Sequence, residues 1–324
     1  MHKPRRRAAV VSLVSAAAVA AGALATAPAH AVVGNSPTDG SYAFTAKLDI
    51  GNGARSCTGT LVEQQWLLTA ASCFAETPGA TVAAGTPRWK TTATIGRTDL
   101  NAGGGAVTEV VELVPRTDRD LVMARLAAPV PGIAPARIAT AAPQAGEALV
   151  AAGYGRTKDE WVPDRLHTGA FTAQTVKDGS LGLEPAAASD AALCKGDTGG
   201  PTLRESSSGP ELAAVNSRSW QGGCLGTPAT ETRRGATSVR VDDIAGWIEQ
   251  TAARSLLPRS DWKKADLLAS GYFTGGSPGA SRHMDLLVRW SDGSVSLFQG
   301  SDGNDPQAPF AAQYQIAKPG SVWQ

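Results

Sequence analysis

Histidine is scarce in this chain. Of 324 residues four are histidine, and His2 and His30 both fall within the first 31. Imidazole is the side chain whose ordinary pKa lies beside neutral pH, so histidine-based proton transfer can draw only on His167 and His283. A surplus of charge is missing too: 30 Lys and Arg face 29 Asp and Glu, a formal +1. That balance gives nucleic acid or an anionic membrane surface no electrostatic purchase, and neither partner is expected. Beyond residue 31 no apolar run reaches bilayer-spanning length, so the mature form is expected to make no membrane contact. No cofactor and no metal are expected either.

What is present begins with a leader. "MHKPRRR" is basic, "AAVVSLVSAAAVAAGALA" is apolar and small, and "APAHA" ends in an A-x-A pattern. That order reads as a secretory signal peptide over residues 1–31, cleaved after Ala31. Cleavage would remove Lys3, Arg5, Arg6 and Arg7 and no acid, turning the formal charge of +1 into −3. The rest is long enough for one large or two unequal domains, and a secreted monomer is expected. Cysteine is limited to Cys57, Cys73, Cys194 and Cys224. An even number in an exported chain points to two disulfides, although spacing alone leaves three pairings open.

From Val32 to about Val241 short apolar or alternating runs are punctuated by Gly, Pro, Asn and Asp. "YAFTAKLDI", "GTLVEQQWLLTA", "AVTEVVELV", "LVMARLA", "EALVAAGYG" and "LAAVNS" are examples. Such runs predict an all-β sandwich or barrel. "VDDIAGWIEQTAARS" alone carries a helical pattern, with Ile244, Trp247 and Ile248 on one face and Asp242 or Asp243 as N-cap. "LLPRS" then ends it, which places a linker at 254–260 between a main domain, 32–253, and a tail, 261–324. In the tail, "SDGS" between two alternating runs predicts a hairpin.

Several motifs occur in one order: "VVGN", "CTGTLVEQQWLLTAASC", "DLVMARL", "CKGDTGGP", "SWQGGC" and the helical "VDDIAGWI". Together they resemble the chymotrypsin/trypsin family of serine proteases over residues 32 to about 252. The resemblance implies two packed six-stranded β-barrels with the active site between them, and the pairings Cys57–Cys73 and Cys194–Cys224. It also implies a triad in which serine attacks, histidine takes the proton and aspartate orients the histidine. Asp120 fills the aspartate position. The histidine position of the family's "TAAHC" holds Ser72, and the serine position holds Thr198.

Ser72 is no base. A neutral hydroxyl has negligible proton affinity and an alkoxide does not form near neutral pH. Of the remaining histidines, the resemblance puts His167 on a second-barrel strand away from the cleft, in a satisfied core or surface role, and His283 in the tail. Threonine can serve as a nucleophile where a base is built for it, so Ser72 is the more serious departure. In a serine protease of another fold, losing either serine or histidine cost about 10⁶-fold in turnover.

Other positions are kept. Gly196 and Thr198 would still offer the backbone pair of an oxyanion hole. Asp197 matches the family aspartate that pairs with the new N-terminal ammonium, which cleavage after Ala31 would place on Val32. The implied specificity pocket comprises Ala192, Leu193, Gln221 and Gly235, with Ala192 where trypsin has an aspartate for Lys and Arg substrates. Two registers are open at its mouth: Gln221 there, or Asn216 and Ser217 after a three-residue shift. The tail resembles a VCBS/FG-GAP-type β repeat, in which an acidic loop can hold calcium. Here Tyr272 takes the first acidic position, and Asp285, Asp302 and Asp305 read as solvated turn residues.

The function expected is that of a secreted pseudoprotease which binds a protein or peptide ligand. The alternatives are a serine-type endopeptidase with an unusual centre and a scaffold without a specific ligand.

Overall fold

The computed structural model describes residues 36–187, 189–255, 265–271, 273, 284–291, 293–300 and 310–317. The leader, Val32, Tyr272, His283, Asp302 and Asp305 lie outside them, as does most of the linker.

Alternation builds the first sheet. In β1 (Thr45–Ile50) Ala46, Leu48 and Ile50 are buried while Lys47 and Asp49 are half-exposed, the period-two pattern of a strand with one face in a core. In β4 (Thr91–Ile95) the buried set is Thr91, Ala93 and Ile95. With β2 (Arg55–Glu63), β3 (Trp66–Thr69), β5 (Ala106–Pro115) and β6 (Val122–Leu126), these strands close a barrel in the order β1-β2-β3-β6-β5-β4. Closure leaves no edge strand to be protected.

The second barrel uses β8 (Ala148–Gly153), β9 (His167–Lys177), β10 (Ser180–Pro185), β11 (Pro201–Arg204), β12 (Glu211–Ser219) and β13 (Ala236–Arg240). Their order is β11-β8-β9-β10-β13-β12, closed by pairing of β11 with β12. The two-residue β7 (Arg137–Ile138) adds parallel to β12. Leu149, Phe171, Leu181 and Leu183 fill this barrel with several alanines, and the first core runs on to Val215, Val239, Ile244 and Ile248. The two barrels and the helix therefore share apolar packing.

Ile248 of the helix α1 (Ala245–Ser255) and Ile244 just before it are buried as expected, with Trp247 partly buried against the same core. Its N-cap differs from expectation. The first carbonyl to accept a helical bond is that of Ile244, from the Ile248 amide at 3.1 Å. Asp242 and Asp243 instead pair with Arg240 and Arg119, each at 2.7 Å.

In the tail β14 (Ala265–Gly271), β15 (Asp285–Trp290), β16 (Val295–Gly300) and β17 (Phe310–Ala317) form one antiparallel sheet in sequence order. The expected hairpin joins β15 to β16 through a turn in which the Gly293 amide donates to the Trp290 carbonyl at 2.9 Å. Asp285 is no solvated turn residue. It is 2 % exposed at the head of β15, and its Oδ1 accepts from the Gly300 amide at 2.9 Å. A buried carboxylate holding a neighbouring strand end is structural.

Candidate active site

Two covalent links frame the site. Cys57 on β2 is bonded to Cys73, which ends a single 3-10 turn, Ala71–Cys73, so Ser72 stands beside that bridge. Cys194 is bonded to Cys224, bracing the loop before Thr198 against the loop after β12. Both pairings are those the resemblance implied. Closed loops of this size contribute about 3 to 4 kcal/mol each in the chain-entropy account.

Asp120 sits immediately before β6, held there by the fully buried Leu121. Its Oδ1 accepts from the Ser72 amide at 2.7 Å, and its Oδ2 accepts from Ser72 Oγ at 2.9 Å and Ser217 Oγ at 2.6 Å. The Ser72 hydroxyl is thus a donor whose proton is directed at the carboxylate. No hydrogen bond connects Ser72 with Thr198 among the described residues.

Ser217 is the site residue that motif reading did not assign to Asp120. A β-bulge between Asn216 and Arg218 breaks the alternation of β12, so no period in the sequence reveals which of these side chains faces the carboxylate.

The loop carrying Thr198 is fixed from the first barrel. Thr58 on β2 donates its amide to the Thr198 carbonyl at 2.9 Å and its hydroxyl to the Gly196 carbonyl at 2.8 Å. Glycine is required here. Gly196 has φ +105° and Gly199 φ +86°, and a Cβ on Gly199 would lie 2.0 Å from Thr69 Oγ1. The amides of Gly196 and Thr198 donate to nothing among the described residues, and Thr198 Oγ1 is likewise without a hydrogen-bond partner there. Asp197, Gly199 and Gly200 direct their own amides to Cys194, Asn216 and Asp197 carbonyls, at 3.0, 2.7 and 3.0 Å. The two backbone donors that the resemblance assigns to an oxyanion hole are therefore not spent on other acceptors among the described residues.

Between them Asp197 is 1 % exposed. Its carboxyl accepts from the Gly155 amide at 2.7 Å and the Cys194 amide at 2.9 Å, and fits because Gly153 and Gly155 lack side chains. Burial raises its pKa to about 7, against the lowering by those two amides. No cationic side chain among the described residues pairs with it.

The expected pocket residues differ in their surroundings. Ala192 is fully buried and Leu193 is 4 % exposed, and the Ser219 hydroxyl donates to the Leu193 carbonyl at 2.6 Å. That bond ties β12 to the 192–194 segment. Gln221 lies beyond, in a turn at φ +62°, and accepts from the Cys224 amide at 3.1 Å. A Cβ on Gly235 would fall 2.3 Å from Glu184 Oε1, and the Gly235 carbonyl accepts from the Trp220 amide at 3.2 Å.

His167 begins β9, 5 % exposed, and both ring nitrogens lack partners. It is a core histidine but an unsatisfied one, where a satisfied role was expected. Burial, helped by Arg165, lowers its pKa to about 4, so it is neutral at pH 7.

Two closed barrels, a helix and this loop geometry coincide with a sequence match: the trypsin family model covers residues 31–248. The chain belongs to the trypsin family. Among solved structures it is similar to neuropsin, a serine protease expressed in the limbic system of mouse brain. The two are 19% identical with a TM-score of 0.52 over 68% of this chain and 98% of neuropsin. At that identity the likeness speaks for the trypsin-like fold alone. Among curated proteins none matches the chain. Within this family member no group of three or more His, Cys, Asp or Glu among the described residues could hold a metal. No helix there is long and apolar enough to cross a membrane.

Proposed function

We propose that this trypsin-family protein is a secreted pseudoprotease that binds a protein or peptide ligand without cleaving it. One observation carries the reading: Ser72 occupies the base position and donates its own proton to Asp120. Unlike an imidazole, which donates to the carboxylate and still accepts a proton at its other nitrogen, a serine hydroxyl has negligible proton affinity and gives Thr198 no general base, and His167 lies neutral and buried at the head of β9. Ala192, where trypsin has an aspartate for Lys and Arg side chains, supports the same reading, since the basic-side-chain pocket is not kept. Both disulfides accord with an oxidising, extracellular destination.

In the mature chain the Val32 ammonium would pair with Asp197 and order the Thr198 loop. Recovery of any other N-terminal residue from secreted protein would remove that pair from the account. The tail sheet is read as a VCBS/FG-GAP-like repeat that assists binding.

The deciding measurement is casein hydrolysis by protein purified free of contaminating proteases, alongside Thr198→Ala. No cleavage by either is expected. Cleavage that vanishes in Thr198→Ala would make the protein a working endopeptidase and end the pseudoprotease reading.

A further inference from the structure

A cavity of about 360 Å³ opens on the first barrel and shares no lining residue with the site around Ser72 and Thr198. We infer that it is a second binding site, for a small zwitterion whose ammonium and carboxylate stand about one dipeptide apart. The inference goes beyond the pseudoprotease reading and does not depend on it.

Alternation turns Lys47 and Asp49 to the outer face of β1, and the strand register sets them against Thr94 and Thr92 of β4. These four side chains line the cavity together with Arg97 and Leu100, from the loop after β4. Asp164 joins them from the loop between β8 and β9, so the cavity lies where a loop of the second barrel meets the first. Junctions of this kind are common places for ligand sites. Hydrogen bonds fix the lining in advance. Arg97 Nε donates to the Gly104 carbonyl at 2.8 Å, and the Leu100 amide donates to the Asp164 carbonyl at 2.7 Å.

Two cations and two acids thus line one space, and none of the four is in an ion pair among the described residues. Arg165, next to Asp164 in the chain, by contrast holds Asp99 at 2.8 Å and Asp39 at 3.3 Å. The two lining acids accept from neutral donors instead. Asp49 Oδ1 takes the Gly53 amide at 2.7 Å, and Asp164 Oδ2 takes Asn101 Nδ2 at 3.1 Å. Neither bond cancels a charge.

The signs are also set apart along β1. The chain leaving β4 runs on past the start of β1, where the Gly96 amide donates to the Ala43 carbonyl at 3.1 Å. Arg97 therefore follows at the Lys47 end, and Asp49 lies two residues further along the same face. Two strand residues span about 6 to 7 Å, close to the separation of the termini in an extended dipeptide. A ligand carboxylate would sit with Lys47 and Arg97, and its ammonium with Asp49. Charge-assisted hydrogen bonds are roughly twice as strong as neutral ones. Leu100 is the one apolar side chain in the described lining, and no aromatic ring is there, so an apolar or ring-stacked ligand has little to rest on.

The test records backbone amide resonances of the ¹⁵N-labelled protein during titration with Gly-Gly, N-acetyl-Gly-Gly and Gly-Gly amide. Gly-Gly should shift the resonances of Lys47, Asp49, Thr92 and Thr94 and bind roughly tenfold or more tighter than either capped peptide. Lys47→Gln should abolish the difference between Gly-Gly and its amide. Asp49→Asn should abolish the difference between Gly-Gly and its acetyl form. Both side chains are half-exposed on a strand's outer face, and Asn keeps an acceptor for Gly53, so both variants should fold with unchanged Tm. Equal binding of the three peptides, or no shift of these resonances up to tens of millimolar Gly-Gly, would overturn the inference. So would folded variants that keep both differences, or glucose binding more tightly than Gly-Gly, which would make the cavity a hydroxyl-recognising site. Failure of the pseudoprotease reading would show separately, as Thr198-dependent casein cleavage.

Discussion

Replacing an imidazole by a hydroxyl changes what Asp120 does. In a triad the carboxylate holds a base in position; here it ends a chain of donors from Ser72 and Ser217. Asp120 stays hydrogen-bonded to position 72 and the Gly196 and Thr198 amides are unengaged among the described residues, so the double change Ser72→His with Thr198→Ser should raise hydrolysis of a small activated ester by about 10² or more. Peptides with Lys or Arg before the scissile bond should remain uncut, because Ala192 and Leu193 are packed. A p-nitrophenyl acetate assay checks the first half and tripeptide anilides the second. Two buried titratable residues give opposing pH effects. His167, with its pKa lowered to about 4 in the fold, contributes stability above pH 6.5 that is lost as pH falls towards 4. Because its ring nitrogens are unpartnered, His167→Leu should raise Tm at pH 5 and flatten this acid limb. Asp197, raised to about 7, has the reverse sign: its contribution is full below its unfolded pKa and lost as pH rises through 7. That loss amounts to at most about 1.4 kcal/mol per pH unit. In the His167→Leu background it should appear in a chain extended before Val32 and disappear when Val32 carries the free ammonium. Melting curves from pH 4 to 8 on the two forms decide it.

At the level of elements, strands were the most legible part of the sequence. "LVMARLA", "EALVAAGYG" and "LAAVNS" carry buried runs between turn residues, and each is a strand in the fold. Local rules failed where tertiary partners intervened. Both aspartates before α1 have good capping chemistry, yet Arg119 and Arg240 hold them, and the cap falls on Ile244. The bulge in β12 likewise hid Ser217, because one extra residue shifts every side chain to the other face. The segment that runs into Cys194 carries the buried Ala192 and Leu193 and is tied to β12 by the Ser219 hydroxyl, an arrangement with a testable consequence. Leu193→Gly with Ser219→Gly should open a site for a small apolar probe such as indole, while the parent binds none. Isothermal titration distinguishes the two. If the parent binds indole equally, the residues are not closing anything.

Across the whole molecule, apolar exposure is uneven. The barrel domain shows Val107, Trp161, Val162 and Trp220, and the short tail shows Leu267, Leu268, Phe273, Met284, Tyr314 and Ile316. The hairpin at residues 291–294 and the strands around it could be read from alternation. The exposure could not, since β14 and β17 alternate no differently from strands that are covered. Among the described residues both are edge strands of the tail sheet, with no further strand paired on their outer sides. Leu267 and Leu268 stand side by side on β14, on opposite faces, so neither face is finished by the strand itself. Exposed large apolar side chains this dense in so short a segment point to a place of contact. The barrels, by contrast, are closed and share a core with α1, so they do not depend on the tail for burial. A chain ending at residue 260 should therefore keep the Tm of the barrel domain to within a few degrees. It should also lose most of the binding of a hydrophobic dye such as anilinonaphthalene sulfonate shown by the full chain. A large fall in Tm would mean that the tail completes the barrel domain's core, and dye binding retained in full would place the apolar contact surface on the barrels, around Trp161 and Trp220.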